Sequence, residues 1–174
     1  MRALISVSDK TGLLNFAKVL LEIGYELIST GGTSSYLREH DLPITDVADV
    51  TGHPEILGGR VKTLHPNIHG GILGDRLDDS HRVQMERLGI IGIDVVVNNL
   101  YPFEDVISDT DSSMELALEN IDIGGPAMTR AAAKNFLNVL IVVDPKDYEW
   151  VGKLIMSGNI SVSDRRRLAA KAFQ

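Results

Sequence analysis

The chain has 174 residues, a formal charge of -7 and no cysteine. That length fits a single domain spanning 1–174 with its own core, and the lack of cysteine excludes disulfides, a thiolate nucleophile and cysteine-ligated zinc or iron–sulfur centres, in keeping with a reducing cytoplasm. Net acidity argues against nucleic acid as the main partner but permits a small anionic ligand held by a local cluster of cations, and no apolar run is long enough for a signal peptide or a membrane span.

In chain order, residues 2–7 read as a buried strand. Ser8 or Asp9 is expected to cap a helix whose apolar positions Leu13, Leu14, Phe16, Ala17, Leu20 and Leu21 recur at helical spacing, with Gly24 closing it. A second strand over 25–29 runs into Thr30-Gly31-Gly32-Thr33, which turns into a short helix through Tyr36, Leu37 and His40. After Pro43, residues 44–50 read as a weaker strand. Strand, helix, strand, helix, strand with short links implies a parallel sheet covered on both sides by helices. Both polar turns follow strands, so they belong at the carboxyl end of the sheet, where ligands of open α/β folds bind.

The least regular stretch begins at Gly52, runs for about twenty-five residues up to the helix at 78, and carries Gly58-Gly59-Arg60-Val61-Lys62-Thr63-Leu64-His65-Pro66. A guanidinium, an ammonium, a hydroxyl and an imidazole lie close together there on a glycine-flanked backbone. That is the chemistry of an anion site: the Arg forks onto phosphate oxygens, the Lys supplies a movable point charge and backbone amides complete a cradle. The simpler alternative is a charged surface loop. His65 and His69 have the i,i+4 spacing of a zinc pair, but Pro66 and Gly70 argue against the helix that such a pair needs, so no metal is expected. No nucleophile-elbow motif supports a serine triad either.

A charged helix over 78–88 precedes the clearest strand, 94–98, which ends in Asn98-Asn99-Leu100-Tyr101-Pro102-Phe103 at the carboxyl edge. The two asparagines suit amide recognition or the capping of a neighbouring loop. Tyr101 is either a phenol facing a ligand or an aromatic lid packed on Pro102 and Phe103. An acidic helix over 112–120 leads to Asp122-Ile123-Gly124-Gly125-Pro126 and then to Ala131-Ala132-Ala133-Lys134, where three alanines allow close packing on a sheet. Lys134 lies twelve residues after Asp122, roughly 18 Å along a straight helix. A contact between them therefore requires a break, for which Gly124-Gly125-Pro126 is the available place. A strand over 137–143, a helix over 145–156 and a basic amphipathic helix over 163–173 complete the chain. The abrupt end at Gln174 is read as that of an amino-terminal part of a longer parent, or of an element completed by a partner.

Taken together, residues 7–12, 29–33, 58–66, 99–103, 122–125 and 131–135 resemble, in order and over essentially the whole chain, the IMP cyclohydrolase domain that forms the amino-terminal part of bifunctional purine-biosynthesis proteins. The resemblance implies an α/β, methylglyoxal-synthase-like fold, a parallel sheet of about five strands flanked by helices. It implies dehydrative closure of 5-formamido-imidazole-4-carboxamide ribonucleotide to IMP, with a purine ribonucleotide as ligand and no cofactor or metal. By motif, Lys62, Tyr101, Asp122 and Lys134 match the catalytic positions. Ser8, Asp9, Lys10, Thr11, Thr30, Gly31, Gly32, Thr33, Arg60 and Thr63 match the nucleotide and phosphate shell, and Asn98, Asn99 and Ile123 lie near the base. Thr30 stands where many relatives carry Ser, Gly70 where many carry Ala, and some relatives lack Asn at position 98.

These residue types suit the reaction. Lys62 with Tyr101 would serve the formyl oxygen, and Asp122 with Lys134 the attacking amide nitrogen. The resemblance also implies a homodimer, which the terminal helix and the apolar rim 100–103 permit, and a separate carboxy-terminal formyltransferase in the parent chain. Two alternatives are a methylglyoxal synthase-type phosphate elimination and a non-catalytic nucleotide-sensing module on the same fold.

Overall fold

The computed structural model describes residues 1–101 and 113–174. Pro102 and Phe103 of the expected rim and Ser112 of the expected acidic helix lie outside the described residues. Five parallel strands, β1 (Arg2–Val7), β2 (Glu26–Ser29), β3 (Thr45–Asp46), β4 (Val95–Asn99) and β5 (Leu140–Val142), form one sheet in the order β3-β2-β1-β4-β5. The central strands have unbroken apolar runs because both of their faces are covered. Ala3, Leu4, Ile5, Val95, Val96 and Val97 are all within 1% of complete burial.

Helix α1 (Leu13–Glu22) packs against α8 (Tyr148–Ser157), with Phe16 and Tyr148 stacked at 4.9 Å and Gly152 admitting Phe16 and Val19. Helix α7 (Gly124–Lys134) lies on β4 and β5, between α4 (Pro66–Leu73) and the terminal α9 (Val162–Lys171). The alanine run 131–133 is buried at this contact, and its small side chains let helix and sheet approach closely. Ser161 and Asp164 start α9 as a reciprocal capping box. Among the described residues no helix is long and apolar enough to cross a membrane.

Several local expectations are corrected. Ser8 and Asp9 do not cap α1. The helix begins after Gly12, whose left-handed φ of 71° turns the chain, while the Asp9 carboxylate accepts from the Thr11 N–H at 2.9 Å and shapes residues 8–12 into a loop. The strand expected over 44–50 is only Thr45–Asp46. Asp46 turns to Arg38 and the Ser34 hydroxyl, and helix α3 (Val47–Thr51) follows. Within the stretch after Gly52 expected to be irregular, α4 is regular. Pro66 opens it instead of breaking it, because a first-turn N–H has no intrahelical acceptor to lose, and His65 Nδ1 caps it by accepting from the Asn67 N–H at 3.1 Å. Gly71 is required there, since a Cβ would sit 2.7 Å from the Ile91 carbonyl oxygen. The helix expected from Pro145 begins as a 3-10 turn, Pro145–Asp147, before α8.

Register places the functional end of the molecule. Ser6 pairs with Asn98 and Val7 with Asn99, so β1 and β4 finish level. From β1 the sheet grows one way through β2 and β3, and from β4 the other way to β5. The carboxyl ends of β1 and β4 are thus the topological switch point, where the outgoing loops diverge and leave a crevice.

Candidate active site

Among the described residues, three cavities open on this edge, and Lys62 lies on the wall of each. The main one, about 600 Å³, runs between Ser6, the loop 58–63, Tyr101 and the segment 118–125. A narrower one of about 100 Å³ lies between the loop bearing Ser8 and Lys10, the turn 30–33 and Asn98 and Asn99. The third, about 290 Å³, is bounded by Thr30, Gly31, residues 46–49, His53 and Glu55. Tyr101 and Asp122 border both the main and the narrow cavity.

The narrow cavity is built for an anion. Helix α2 (Gly31–Glu39) starts at its rim, with Thr30 in extended conformation as the cap residue, so its first N–H groups lack intrahelical acceptors and the positive end of its dipole is presented. Gly31 has φ of 56°, a left-handed conformation that favours glycine, and Lys62 Nζ lies beside this helix start, 3.5 Å from where a Cβ would stand. Lys10 supplies a second ammonium, its Nζ 3.4 Å from the Ser8 carbonyl oxygen.

Other predicted residues do structural work around that cradle. The Thr33 hydroxyl both accepts from Val7 N–H and donates to Val7 O, at 3.0 Å each, replacing a neighbouring strand where β2 has ended. Asn99 accepts from the N–H of Ser8 at 2.7 Å and of Asp9 at 2.8 Å, and donates to Asp9 O at 2.9 Å. Three bonds thereby fix the loop that carries Lys10. Asn98 is buried and donates to the Gly125 carbonyl and the Thr129 hydroxyl, tying the start of α7 to β4. Asp9 and Thr11 are exposed and border none of the three cavities. The bond from Thr11 holds the Asp9 carboxyl below the usual carboxylate range. Tyr148, stacked under this loop, has its phenol pushed upward by burial.

Across the main cavity, one oxygen of Asp122 accepts from the Gly125 N–H at 2.9 Å. A Cβ on Gly125 would overlap the other oxygen and lie 2.8 Å from Leu100, so glycine is what lets the carboxylate remain at the cavity wall. Thr63 is buried with its hydroxyl directed at Gly124, where a Cβ would be 2.8 Å away. Ile123 and Tyr101 stand exposed on the rim. Arg60 reaches over the mouth to pair with Glu119. It sits in a tight hairpin closed by the antiparallel bridge between Ile56 and Val61, with Gly58 and Gly59 both at positive φ.

Lys134 is not brought to this site. Helix α7 runs unbroken from Gly124 to Lys134, which separates its ends by about 15 Å. The break needed for an Asp122–Lys134 pair is absent, because Gly124-Gly125-Pro126 forms the first turn of the helix, where Pro is tolerated. Lys134 is exposed at the far end and borders none of the three cavities.

A model of MGS-like domains matches residues 12–127, and a model described as AICARFT/IMPCHase bienzyme matches residues 132–174. The chain belongs to the MGS-like domain family. Among curated relatives, the bifunctional purine biosynthesis protein PurH of Halalkalibacterium halodurans is 55% identical over 174 residues, covering 99% of this chain and 34% of that one. The PurH of Bacillus subtilis is 53% identical with the same coverage. The chain thus spans about a third of the length of these relatives, 34%. The crystal structure of ForH superposes with a TM-score of 0.85 at 40% identity, covering 99% of this chain and 90% of that one.

In this MGS-like domain the arrangement can hold a phosphate at the α2 start and present an ammonium, a phenol and a carboxylate to the remainder of the ligand. Three residues escaped the sequence reading. Ser6 looks like one more position of a buried strand, and only its register beside Asn98 places it at the crevice. Glu55 and Glu119 look like ordinary surface acids in an acidic chain. The one available signal for Glu55 was its position just ahead of the glycine-rich cationic stretch.

Proposed function

We propose that the chain closes the second ring of a purine, converting 5-formamido-imidazole-4-carboxamide ribonucleotide and releasing water to give IMP. The observation that carries this reading is the shared wall: Lys62, Tyr101 and Asp122 line one cavity of about 600 Å³ that continues into the phosphate-suited helix start. The names of the PurH relatives support the same pathway.

The 5′-phosphate sits at the start of α2 with Lys10, which lays the base into the main cavity. The carboxamide nitrogen, a poor nucleophile, attacks the formyl carbon, forming the new carbon–nitrogen bond as the formyl π pair moves to oxygen. Lys62 and Tyr101 stabilise that oxygen and protonate it. Asp122 accepts the proton lost by the nitrogen. The carbinolamine hydroxyl then departs as water, taking one proton from the acid side while the ring nitrogen releases one. Because the step is intramolecular, holding both arms of the ligand in a folded pose contributes much of the rate. Lys134 is given no step in this cavity. We further propose that the chain acts in the cytoplasm as a homodimer and that a separate formyltransferase domain supplies its substrate.

The deciding experiment gives the purified chain the formylated ribonucleotide and follows appearance of the purine chromophore with a chelator present and without folate. IMP should form. With the unformylated ribonucleotide and 10-formyltetrahydrofolate, none should form. Failure of the first reaction, or IMP from the second in a preparation free of other enzymes, overturns the assignment.

A further inference from the structure

Lys62 carries a long, rotatable side chain into a place where three cavities meet, and its flexible stem leaves the ammonium several directions to take. Something must select one direction if its ammonium is to meet a developing charge. We propose that Glu55 is a positioning residue of this site. Its carboxylate holds the Lys62 ammonium at the junction and ties it to the Thr30 hydroxyl at the start of α2. This inference rests on the ring-closure reading above.

The geometry is that of a bridge. One oxygen of Glu55 lies 3.6 Å from Lys62 Nζ, and the other accepts from the Thr30 hydroxyl at 3.3 Å. Two loops that are far apart in sequence are thus joined through one carboxylate. The surrounding backbone is shaped to it. Gly59 has φ of 91°, and a Cβ there would lie 2.5 Å from the Glu55 oxygen and 3.7 Å from Lys62 Nζ. Gly31 stands on the other side, its φ of 56° favouring glycine and its Cβ position 3.5 Å from the ammonium, so Lys62 Nζ lies between two left-handed glycines with the Glu55 carboxylate beside it.

Glu55 borders the third cavity but neither the main nor the narrow one. It therefore approaches Lys62 from behind. A carboxylate facing the phosphate cradle would repel the ligand; from the third cavity it can orient the cation while leaving the ligand side to Lys62 and the α2 amides. Asp122, by contrast, lies on the walls of both the main and the narrow cavity and so belongs to the ligand side.

The test is a kinetic cycle on the full chain with Glu55→Gln, Lys62→Ala and the double variant. Glu55→Gln keeps the side-chain volume and a partner for Thr30 but removes the charge, and an unchanged circular dichroism spectrum verifies its folding. It should lower kcat about tenfold while KM stays within about threefold. In the Lys62→Ala background the same change should alter kcat by less than about twofold, since the group it positions is gone. Equal losses in both backgrounds, or a rise in KM with kcat kept, would overturn the role. A second readout does not need turnover: the proton–nitrogen resonance of the Lys62 ammonium in the ligand-free chain, assigned by its loss in Lys62→Ala, should be visible in the wild type and broadened away in Glu55→Gln. Persistence in both would refute the positioning. Wild-type protein that makes no IMP would sink the ring-closure reading alone, and this spectrum would still decide the position of Lys62.

Discussion

Both ends of the sheet carry arginine or lysine beside aspartate or glutamate, and both border a cavity of comparable size, about 520 Å³ at the amino end and about 600 Å³ at the carboxyl end. At the amino end the charges are committed to one another. Asp94 takes the Arg76 guanidinium at 2.5 Å and the Arg2 N–H at 2.6 Å, Arg76 also reaches the Ile93 carbonyl at 2.6 Å, and Arg2 is held by Glu26 at 2.8 Å. At the carboxyl end, among the described residues, the first N–H groups of α2 lack intrahelical acceptors, Lys10 makes only a 3.4 Å contact with a carbonyl, and Lys62 has a 3.6 Å partner on one side and cavities on the others. A hollow of adequate volume does not mark a site. Polar groups whose hydrogen bonds and charges remain available do.

The largest expected effect tests that distinction on the carboxyl side. Lys62→Ala should lower kcat about 10²–10³-fold with KM within about threefold, as expected for a group that meets developing charge. Lys10→Ala should instead raise KM about tenfold with kcat kept, because a phosphate contact stabilises ground and transition states alike. Steady-state kinetics on the formylated ribonucleotide reads both. Similar small effects from the two would erase the division between cavity and cradle.

At the amino end the corresponding change is one of stability. Asp94→Ala strands the partly buried Arg76 and the Arg2 N–H, and should cost about 2–4 kcal/mol in denaturant unfolding without changing KM. A change in KM there would mean that the two ends communicate. A smaller effect is expected of Asn99→Ala. It releases the loop carrying Lys10 from three hydrogen bonds and should raise KM about fivefold to tenfold with kcat nearly unchanged.

The smallest effect belongs to a charge cluster away from the ligand. Lys171 binds Asp144 at 2.6 Å and Asp147 at 2.7 Å. Lys171 holds the Asp144 carboxyl below its ordinary range, and Asp144 followed by Asp147 holds the Lys171 ammonium above its own. The Asp144 contribution is full above its unfolded value and is lost as pH falls through the lowered folded one. That of Lys171 is full below its unfolded value and is lost as pH rises through the raised folded one. Asp144→Asn should therefore destabilise by no more than about 1 kcal/mol near neutrality, given the exposure of the cluster, and the difference from wild type should disappear in strong acid. Thermal melting across pH measures it.

Much of the fold was legible because its signals are local. The apolar runs of β1 and β4, the helical spacing of α1 and the turn 30–33 each report backbone preferences and burial within a few residues. Misreadings came where a local signal has two solutions. Pro66 breaks a helix in its interior but starts one at its first turn, and Ser8 and Asp9 suit a helix cap or a loop equally well. The site was legible as a set of motifs at strand ends but not as a division of labour. Thr33 and Asn98 have the chemistry of ligand contacts, yet their polar groups are drawn into the strand end and the start of α7.

The sequence by itself therefore determined the alternation of strands and helices, the carboxyl-edge placement of the glycine-rich turns and the supply of an ammonium, a phenol and a carboxylate, since these follow from periodicity, turn chemistry and residue type. Only the tertiary structure decided which of them meet. The sheet order sets β1 beside β4 and opens the crevice. The unbroken α7 carries Lys134 away from Asp122, and chain folding brings Glu55 behind Lys62 and against Thr30. The physical reason is that polar groups must be satisfied by whatever neighbours packing provides, and for Thr33, Asn98 and Asn99 those neighbours lie tens of residues away along the chain.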